Sequence, residues 1–415
     1  MRRLFSAGLA FAVSIAALVG TSPIPATAAG YVVKAGPRFN LPLSARGVSG
    51  IKVTSDSDSS QELNQHLVEL INNTTRGAQI RISLYGWDDW AGSSAPNPTP
   101  ALQRALDRGV TVKILLDAGA KLSADYTTLK NDMKVHSGSY IKRCGVGYQT
   151  TAGSGRGCLG SAVNHSKVFL FSRVGLSDYV VVQGTSHITP TWGNGAWDAM
   201  MTVVGRKTLY DGYVKYFEDE AKNVRQPNYY RTVTDGAYKA YFFPRTVTKT
   251  SDDVMVGILN NVKCSGNTTR PSASGHATKI RIATYNFTRE KVAAKIQSLA
   301  KQGCYFDIAV NGENMGSKVK TYLKSKDSPS AAKRINVDNA HVGNMIVHAK
   351  YMLIEGNYDG HPNSTIMWVG SPNLTNPALD ENDESLLKIE SKTGVWFDQW
   401  ADNFRNIMKV SPDAW

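Results

Sequence analysis

Two short stretches of this chain carry a histidine and a lysine at the same spacing: His165-Ser166-Lys167 and His348-Ala349-Lys350. Each pair enters an apolar run, Val168-Phe169-Leu170-Phe171 in the first case and Tyr351-Met352-Leu353-Ile354 in the second. Such runs read as strands bound for the interior, and in a strand residues two apart share one face. His165 and Lys167 therefore point the same way, as do His348 and Lys350. Lysine is almost never fully buried unless paired, so a repeated pair in two core strands points to a site rather than to packing. Imidazole offers a nucleophile or a transferable proton near neutral pH, and ammonium offers positive charge. Two of each meet the needs of chemistry at a phosphoryl group: attack, protonation of the leaving oxygen, and charge around the equatorial oxygens.

A second feature lies downstream of each pair. The strand-like Tyr179-Val180-Val181-Val182-Gln183 runs into Gly184-Thr185-Ser186-His187, and Thr365-Ile366-Met367-Trp368-Val369 runs into Gly370-Ser371-Pro372-Asn373. Turns of this kind present backbone N–H groups and short polar side chains to an anion. Thr185, Ser371, Asn373 and His187 are the candidate substrate-binding residues. Fourteen residues past each glycine stands an acid, Asp198 in one case and Glu384 in the other. A carboxylate on Nδ1 fixes an imidazole tautomer and leaves Nε2 for chemistry. Asp198 and Glu384 are the candidates for that task, with Asp383 adjacent to the second. No GxSxG elbow, Walker loop or HExxH is present.

The elements that must position these residues are written twice. Leu67–Asn73 precedes the strand-like Ile80–Tyr85, and Met255–Asn261 precedes Ile280–Tyr285. Each strand is followed by a helical pattern and another strand, over 101–117 in the first copy and 291–311 in the second, with Gly109 and Gly303 at the helix-to-strand turn. This alternation predicts an α/β protein: two similar α/β lobes from an internal duplication, with mixed, largely parallel sheets flanked by helices. The lobes are expected over 30–245 and 246–415.

Together these residues resemble the phospholipase D superfamily, whose signature is HxKxxxxD followed by GSxN or GGxN, present twice in bilobal members. The likeness runs over roughly residues 45 to 410. Departures are local. Ser172 and Glu355 stand where the family has Asp, and His187 stands where the first turn has Asn, which the second keeps as Asn373. The resemblance implies a site at the lobe interface, formed by both His-x-Lys pairs and needing no cofactor or metal. It implies His165 as nucleophile, His348 as general acid, and Lys167 and Lys350 as stabilisers of the equatorial oxygens. By resemblance to secreted bacterial phospholipases D, the substrate is a phospholipid at a membrane or micelle surface. Nucleic acid, as for metal-independent nucleases of the superfamily, is the alternative, and a non-catalytic anion-binding protein is the third reading. A monomer is expected.

The bulk properties fit an exported protein. Arg2 and Arg3, an apolar run from Leu4 to Val19 and Ala26-Thr27-Ala28 read as a signal peptide over 1–29. The net charge of +13 suits an anionic partner. Export makes disulfides plausible for Cys144, Cys158, Cys264 and Cys304. Of three pairings, Cys144–Cys158 with Cys264–Cys304 keeps each bridge within one half. Trp87, Trp90 and Trp192 fall in loops after strands, where rings reach an interface or pack inward.

Overall fold

The structure, a computed structural model, describes residues 30–52, 60–145, 156–190, 192–273, 275–324, 329–391 and 393–412. The expected signal peptide over 1–29 lies outside the described residues, as do residues 153–155 of the glycine-rich loop before the first His-x-Lys pair.

The β-branched runs of the first half assemble a seven-stranded sheet. Its order is Gly36–Phe39, Ala199–Val203, Ser177–Gly184, Lys167–Val174, Gln79–Leu84, Thr111–Leu116 and Tyr140–Arg143. The second half builds a larger sheet in the order Ile335–Asn339, Tyr305–Val310, Lys279–Thr284, Tyr351–Tyr358, His361–Gly370, Glu384–Glu390, Tyr238–Phe243 and Arg231–Asp235. The repeat seen in the sequence is thus a repeat of sheets. Gly109 at φ +82° and Gly303 at φ +108° end the equivalent helices, in backbone that glycine adopts without Cβ strain.

The period of two along each strand sorts its residues between two cores. Ile80, Ile82 and Leu84 pack with Leu67, Leu70, Leu102 and Leu106 of the helices Glu62–Asn72 and Pro98–Asp107. Ile280, Ile282, Ile308 and Val310 do the same against Leu259, Ile296 and Leu299 of the second half. The opposite faces meet each other. Leu170, Val181 and Met201 of the first sheet share one buried cluster with Leu353, Met367, Val369 and Leu387 of the second. Tyr213, Tyr216 and Phe217 of Lys207–Ala221 join that cluster, as do Trp400, Phe404 and Ile407 of Val395–Lys409. The result is four layers, helices outside and two sheets face to face. This central core welds the lobes, and cutting fully buried Leu170 to alanine is expected to cost about 2–5 kcal/mol.

The sheets are mixed, as expected, but parallel pairing is the minority. Only Gln79–Leu84, Thr111–Leu116 and Tyr140–Arg143 are mutually parallel in the first sheet, and Lys279–Thr284, Tyr305–Val310 and Ile335–Asn339 in the second. The physical reason is the connections. Helical crossovers join the parallel strands, whereas each strand following a His-x-Lys pair turns straight back on itself and must pair antiparallel. In the second lobe that reversal is the two-residue turn Asp359-Gly360. Sheet membership also departs from the boundary at 245. Arg231–Asp235 and Tyr238–Phe243 precede it yet extend the second sheet through the Glu384–Glu390 edge.

Both disulfides form within their own half, Cys144–Cys158 and Cys264–Cys304. No helix among the described residues is long and apolar enough to cross a membrane. Trp87 and Trp90 do not reach outward. Both are buried in the first-lobe core, and Trp87 Nε1 donates to Thr99 Oγ1 at 3.0 Å. For Trp87 that hydrogen bond satisfies the indole inside the protein, whereas Trp90 Nε1 is buried without a hydrogen-bond partner.

Candidate active site

Each His-x-Lys pair stands where a core strand begins, and the hairpin beyond it returns the Gly-hydroxyl turn to its side. Val168 faces Gln183 across the first hairpin, and Tyr351 faces Val369 across the second. The histidine and lysine thus lie at the strand mouths, next to the turns, on the side where the lobes meet. Lys167, His348 and Lys350 are buried, and the His165 side chain keeps 13 % exposure.

The carboxylates cross between lobes. His165 Nδ1 pairs with Glu384 Oε1 of the second lobe at 2.9 Å. His348 Nδ1 pairs with Asp198 of the first lobe, at 3.0 Å to Oδ1 and 3.2 Å to Oδ2. Short backbone ladders enforce the exchange. Ala196–Trp197 runs parallel to Ile346–Val347 ahead of His348, and Asn164 bridges Asp383 ahead of His165. Each of the two imidazoles is therefore held from the other half of the chain. Both Nδ1 positions are engaged by carboxylates, which fixes the orientation of each ring.

Thr185 and Ser371 do not serve as the sequence predicts. Thr185 Oγ1 donates to Asp198 Oδ1 at 2.6 Å and accepts from Ala199 N at 3.0 Å. Ser371 Oγ accepts from Ser385 N at 3.1 Å and lies 3.4 Å from Ser385 O. Both residues are fully buried. Their hydroxyls already bond the next strand, as buried polar groups must, so they hold the carboxylate strands rather than face the cleft. The fourteen-residue spacing between glycine and acid reflects this lock. Asn373 lines a small, mainly apolar cavity of the second lobe with Lys350 and Thr284, and its Oδ1 is buried without a hydrogen-bond partner.

His187 stands between the two paired imidazoles. Its ring centroid is 5.5 Å from that of His165 and 5.1 Å from that of His348. Tyr85 and Tyr285, the tyrosines that close the repeated strands, flank the row, at 6.0 Å from His165 and 5.4 Å from His348. Arg156 donates to Tyr85 Oη at 3.1 Å and is paired with fully buried Asp117. Sequence reading assigned no role to Tyr85, Tyr285, Asp117 or Arg156. The two tyrosines had a signal, their equal place in the repeat. Asp117 and Arg156 had none, since only folding brings them together. Ser172 Oγ accepts from Gln79 N at 2.8 Å, and Glu355 pairs with Arg281 at 3.0 Å. Both departures from the family pattern are thus polar ties within a sheet.

Burial sets the electrostatics. It pushes the Lys167 ammonium down to about 8, against the pull of Glu384 and Asp198. It pushes Lys350 well down, with Lys167 adding to the effect against Asp198. His165 is lowered by burial, which outweighs the opposing Glu384. His348 and His187 are lowered well below the usual histidine value, burial first and the lysines after it. Asp198 is raised to about 6 by burial, against Lys350. Each lysine points back along its own motif, Lys167 Nζ donating to His165 O at 2.9 Å and Lys350 Nζ to His348 O. Among the described residues the metal-like grouping is elsewhere, at Cys144, Cys158 and Asp383, where both thiols are consumed by the disulfide.

Comparison with known proteins bears on the fold. Residues 272–408, which hold the second His-x-Lys pair and Glu384, match the family described as cardiolipin synthase, PLD-like domain. No curated protein sequence matches the chain. Among solved structures the fold is similar to a phosphatidylserine synthase of Haemophilus influenzae Rd KW20, with TM-score 0.59 and 13 % identity over 85 % of this chain and 86 % of that one. It is also similar to a polyphosphate kinase from Porphyromonas gingivalis, with TM-score 0.53 and 11 % identity over 84 % of this chain and 45 % of that one. At such identities the likeness is one of fold.

Proposed function

We propose that this chain is an exported phosphodiesterase of the phospholipase D superfamily that hydrolyses the headgroup diester of phospholipids through a phosphohistidine; the match of residues 272–408 to a PLD-like domain supports that placement. The observation that carries this reading is the pair of imidazole–carboxylate couples, each shared between lobes, with two buried lysines beside them. Export is supported by the signal-like 1–29 segment and the two disulfides.

The two imidazoles take opposite roles. His165 carries its proton on Nδ1, donated to Glu384, so Nε2 presents a lone pair. Nε2 attacks phosphorus, the bond to the leaving alcohol breaks, and protonated His348 gives its Nε2 proton to that oxygen. Now neutral, His348 takes a proton from water. The hydroxide attacks phosphorus, and the P–N bond to His165 breaks. An alcohol in place of water gives transphosphatidylation. Lys167, Lys350, Asn373 and His187 supply charge and N–H groups around the equatorial oxygens. Before substrate binds, burial and the lysines hold His348 neutral. The diester's negative charge offsets those lysines, so substrate binding itself arms the general acid.

Phospholipid is the favoured substrate through the resemblance to secreted bacterial phospholipases D. Nucleic acid is the second reading, favoured by the net charge of +13. Choline release from phosphatidylcholine and nicking of plasmid, each with EDTA present, separate the two. Acid-quench trapping of labelled enzyme from wild type, His165→Ala and His348→Ala identifies the phosphorylated residue. Anion binding with no turnover of either substrate, and no trapped intermediate, would replace this reading with that of a binding protein.

A further inference from the structure

The backbone crossings that hold the two catalytic histidines are alike, but the side chains at their centres are not. Ahead of His348, Trp197 O accepts from His348 N at 3.0 Å and from Ala349 N at 2.6 Å, and the Trp197 ring packs in the apolar core. Ahead of His165, the corresponding residue is Asp383, whose O accepts from His165 N at 3.0 Å. Its side chain is a fully buried carboxylate. A buried charge is costly unless it is paired and hydrogen-bonded, and packing alone is served by an apolar residue, as at Trp197.

The Asp383 carboxylate is gripped by three successive backbone N–H groups: Cys158 at 2.5 Å, Leu159 at 3.0 Å and Gly160 at 2.6 Å. Consecutive N–H groups turned inward form an anion nest, here filled by the protein's own acid. The approach is tight enough to require glycine, since a Cβ on Gly160 would lie 2.0 Å from Glu381 O. From there the segments zip together. Ala162 N donates to Glu381 O at 3.1 Å and Asp383 N to Val163 O at 2.9 Å, and the zip ends at the 2.9 Å contact of His165 with Glu384. Its other end is covalent, because Cys158 is bonded to Cys144, whose N donates to Leu116 O of the first sheet at 2.7 Å.

We propose that Asp383 is a positioning residue: it latches the disulfide-anchored 156–164 segment of the first lobe to the strand bearing Glu384, and so sets where His165 sits relative to phosphorus. The inference rests on the phosphodiesterase reading above. It adds that the Cys144–Cys158 bridge belongs to the catalytic geometry and that the two histidines are held by unequal devices.

The test compares Asp383→Ala, Asp383→Asn and the paired Cys144→Ser/Cys158→Ser variant with wild type. One readout is kcat and KM on bis(p-nitrophenyl) phosphate. The other is the NMR titration of ring-labelled histidines, with His165 and His348 assigned from His165→Gln and His348→Gln. A displacement of about 1 Å at the reacting group costs about 10²-fold. Asp383→Ala is therefore expected to lower kcat by about that factor, with KM changed less than about threefold. The His165 titration should move while that of His348 stays, and Asp383→Asn should show a smaller version of both effects. The cysteine pair should match Asp383→Ala, and combining them should add little, as for residues acting as one unit. A lowered melting point with unchanged kcat and unchanged titrations would overturn the proposal, as would full additivity. If Asp383→Ala fails to fold, Asp383→Asn and the cysteine pair decide. If wild type cleaves no diester, the phosphodiesterase reading falls, and the titrations alone judge the latch.

Discussion

Replacing Glu384 by glutamine removes one charge at nearly constant volume, and it strikes two partners at once, His165 and Lys167. The carboxylate accepts from His165 Nδ1 at 2.9 Å and from Asn382 Nδ2 at 3.1 Å, and it is fully buried. A hydrogen bond to a charged group contributes about 1.5–3 kcal/mol, which corresponds to about 10- to 150-fold in rate. An amide can also turn its NH₂ toward Nδ1, forcing the proton onto Nε2 and silencing the nucleophile. In a serine-protease triad the equivalent change costs about 10⁴, so kcat is expected to fall between about 10² and 10⁴. A second consequence is independent of tautomers. Glu384 opposes the burial that brings Lys167 down to about 8. Without it, Lys167 drops further and loses its proton at lower pH. The alkaline limb of the kcat profile, which reports the complex in which bound diester keeps His348 protonated, should therefore lie at lower pH in Glu384→Gln than in wild type. Steady-state hydrolysis of bis(p-nitrophenyl) phosphate from pH 5 to 10 measures both. A kcat within about threefold of wild type, with an unmoved alkaline limb, would refute the argument that this carboxylate serves His165 and Lys167 together.

Lys167→Met should abolish turnover yet stabilise the substrate-free protein by about 2–3 kcal/mol at pH 7, because its depressed ammonium is carried there at a cost. Since the unfolded lysine keeps its proton up to about 10.5, that advantage should fade as pH rises from about 8 to 10.5, as read by urea denaturation. Inorganic phosphate at about 100 times its Kd should stabilise wild type by about 2.7 kcal/mol, and Lys350→Met should remove most of that gain in a thermal-shift titration. Arg156→Met leaves buried Asp117 without its guanidinium, so a loss of about 3–5 kcal/mol is expected on chemical unfolding. Ser172→Ala should cost about 1 kcal/mol through the Gln79 N–H it leaves unpaired, with kcat unchanged, since Ser172 acts within the sheet.

The sequence alone determined the candidate residues and the duplication, because both are written in local order. A His-x-Lys step facing one way needs only the two-residue period of a strand. Two copies of a helix–strand pattern need only the chain to be compared with itself. The preferred disulfide pairing was legible for a similar reason, each bridge staying within one copy. Folding in three dimensions decided who holds whom. That Glu384 serves His165 and Asp198 serves His348 results from two parallel backbone bridges between lobes, and no spacing along the chain encodes such a crossing. The roles of Thr185 and Ser371 turned on the same kind of fact: a hydroxyl beside a glycine looks ready for an anion until the next strand takes both its bonding directions. The predominance of antiparallel pairing depended on which connections are hairpins, and the depth of Trp87 on a partner twelve residues away. Local pattern names the groups, and the packing of one half against the other fixes their partners, since burial leaves each polar atom only the neighbours that the fold provides.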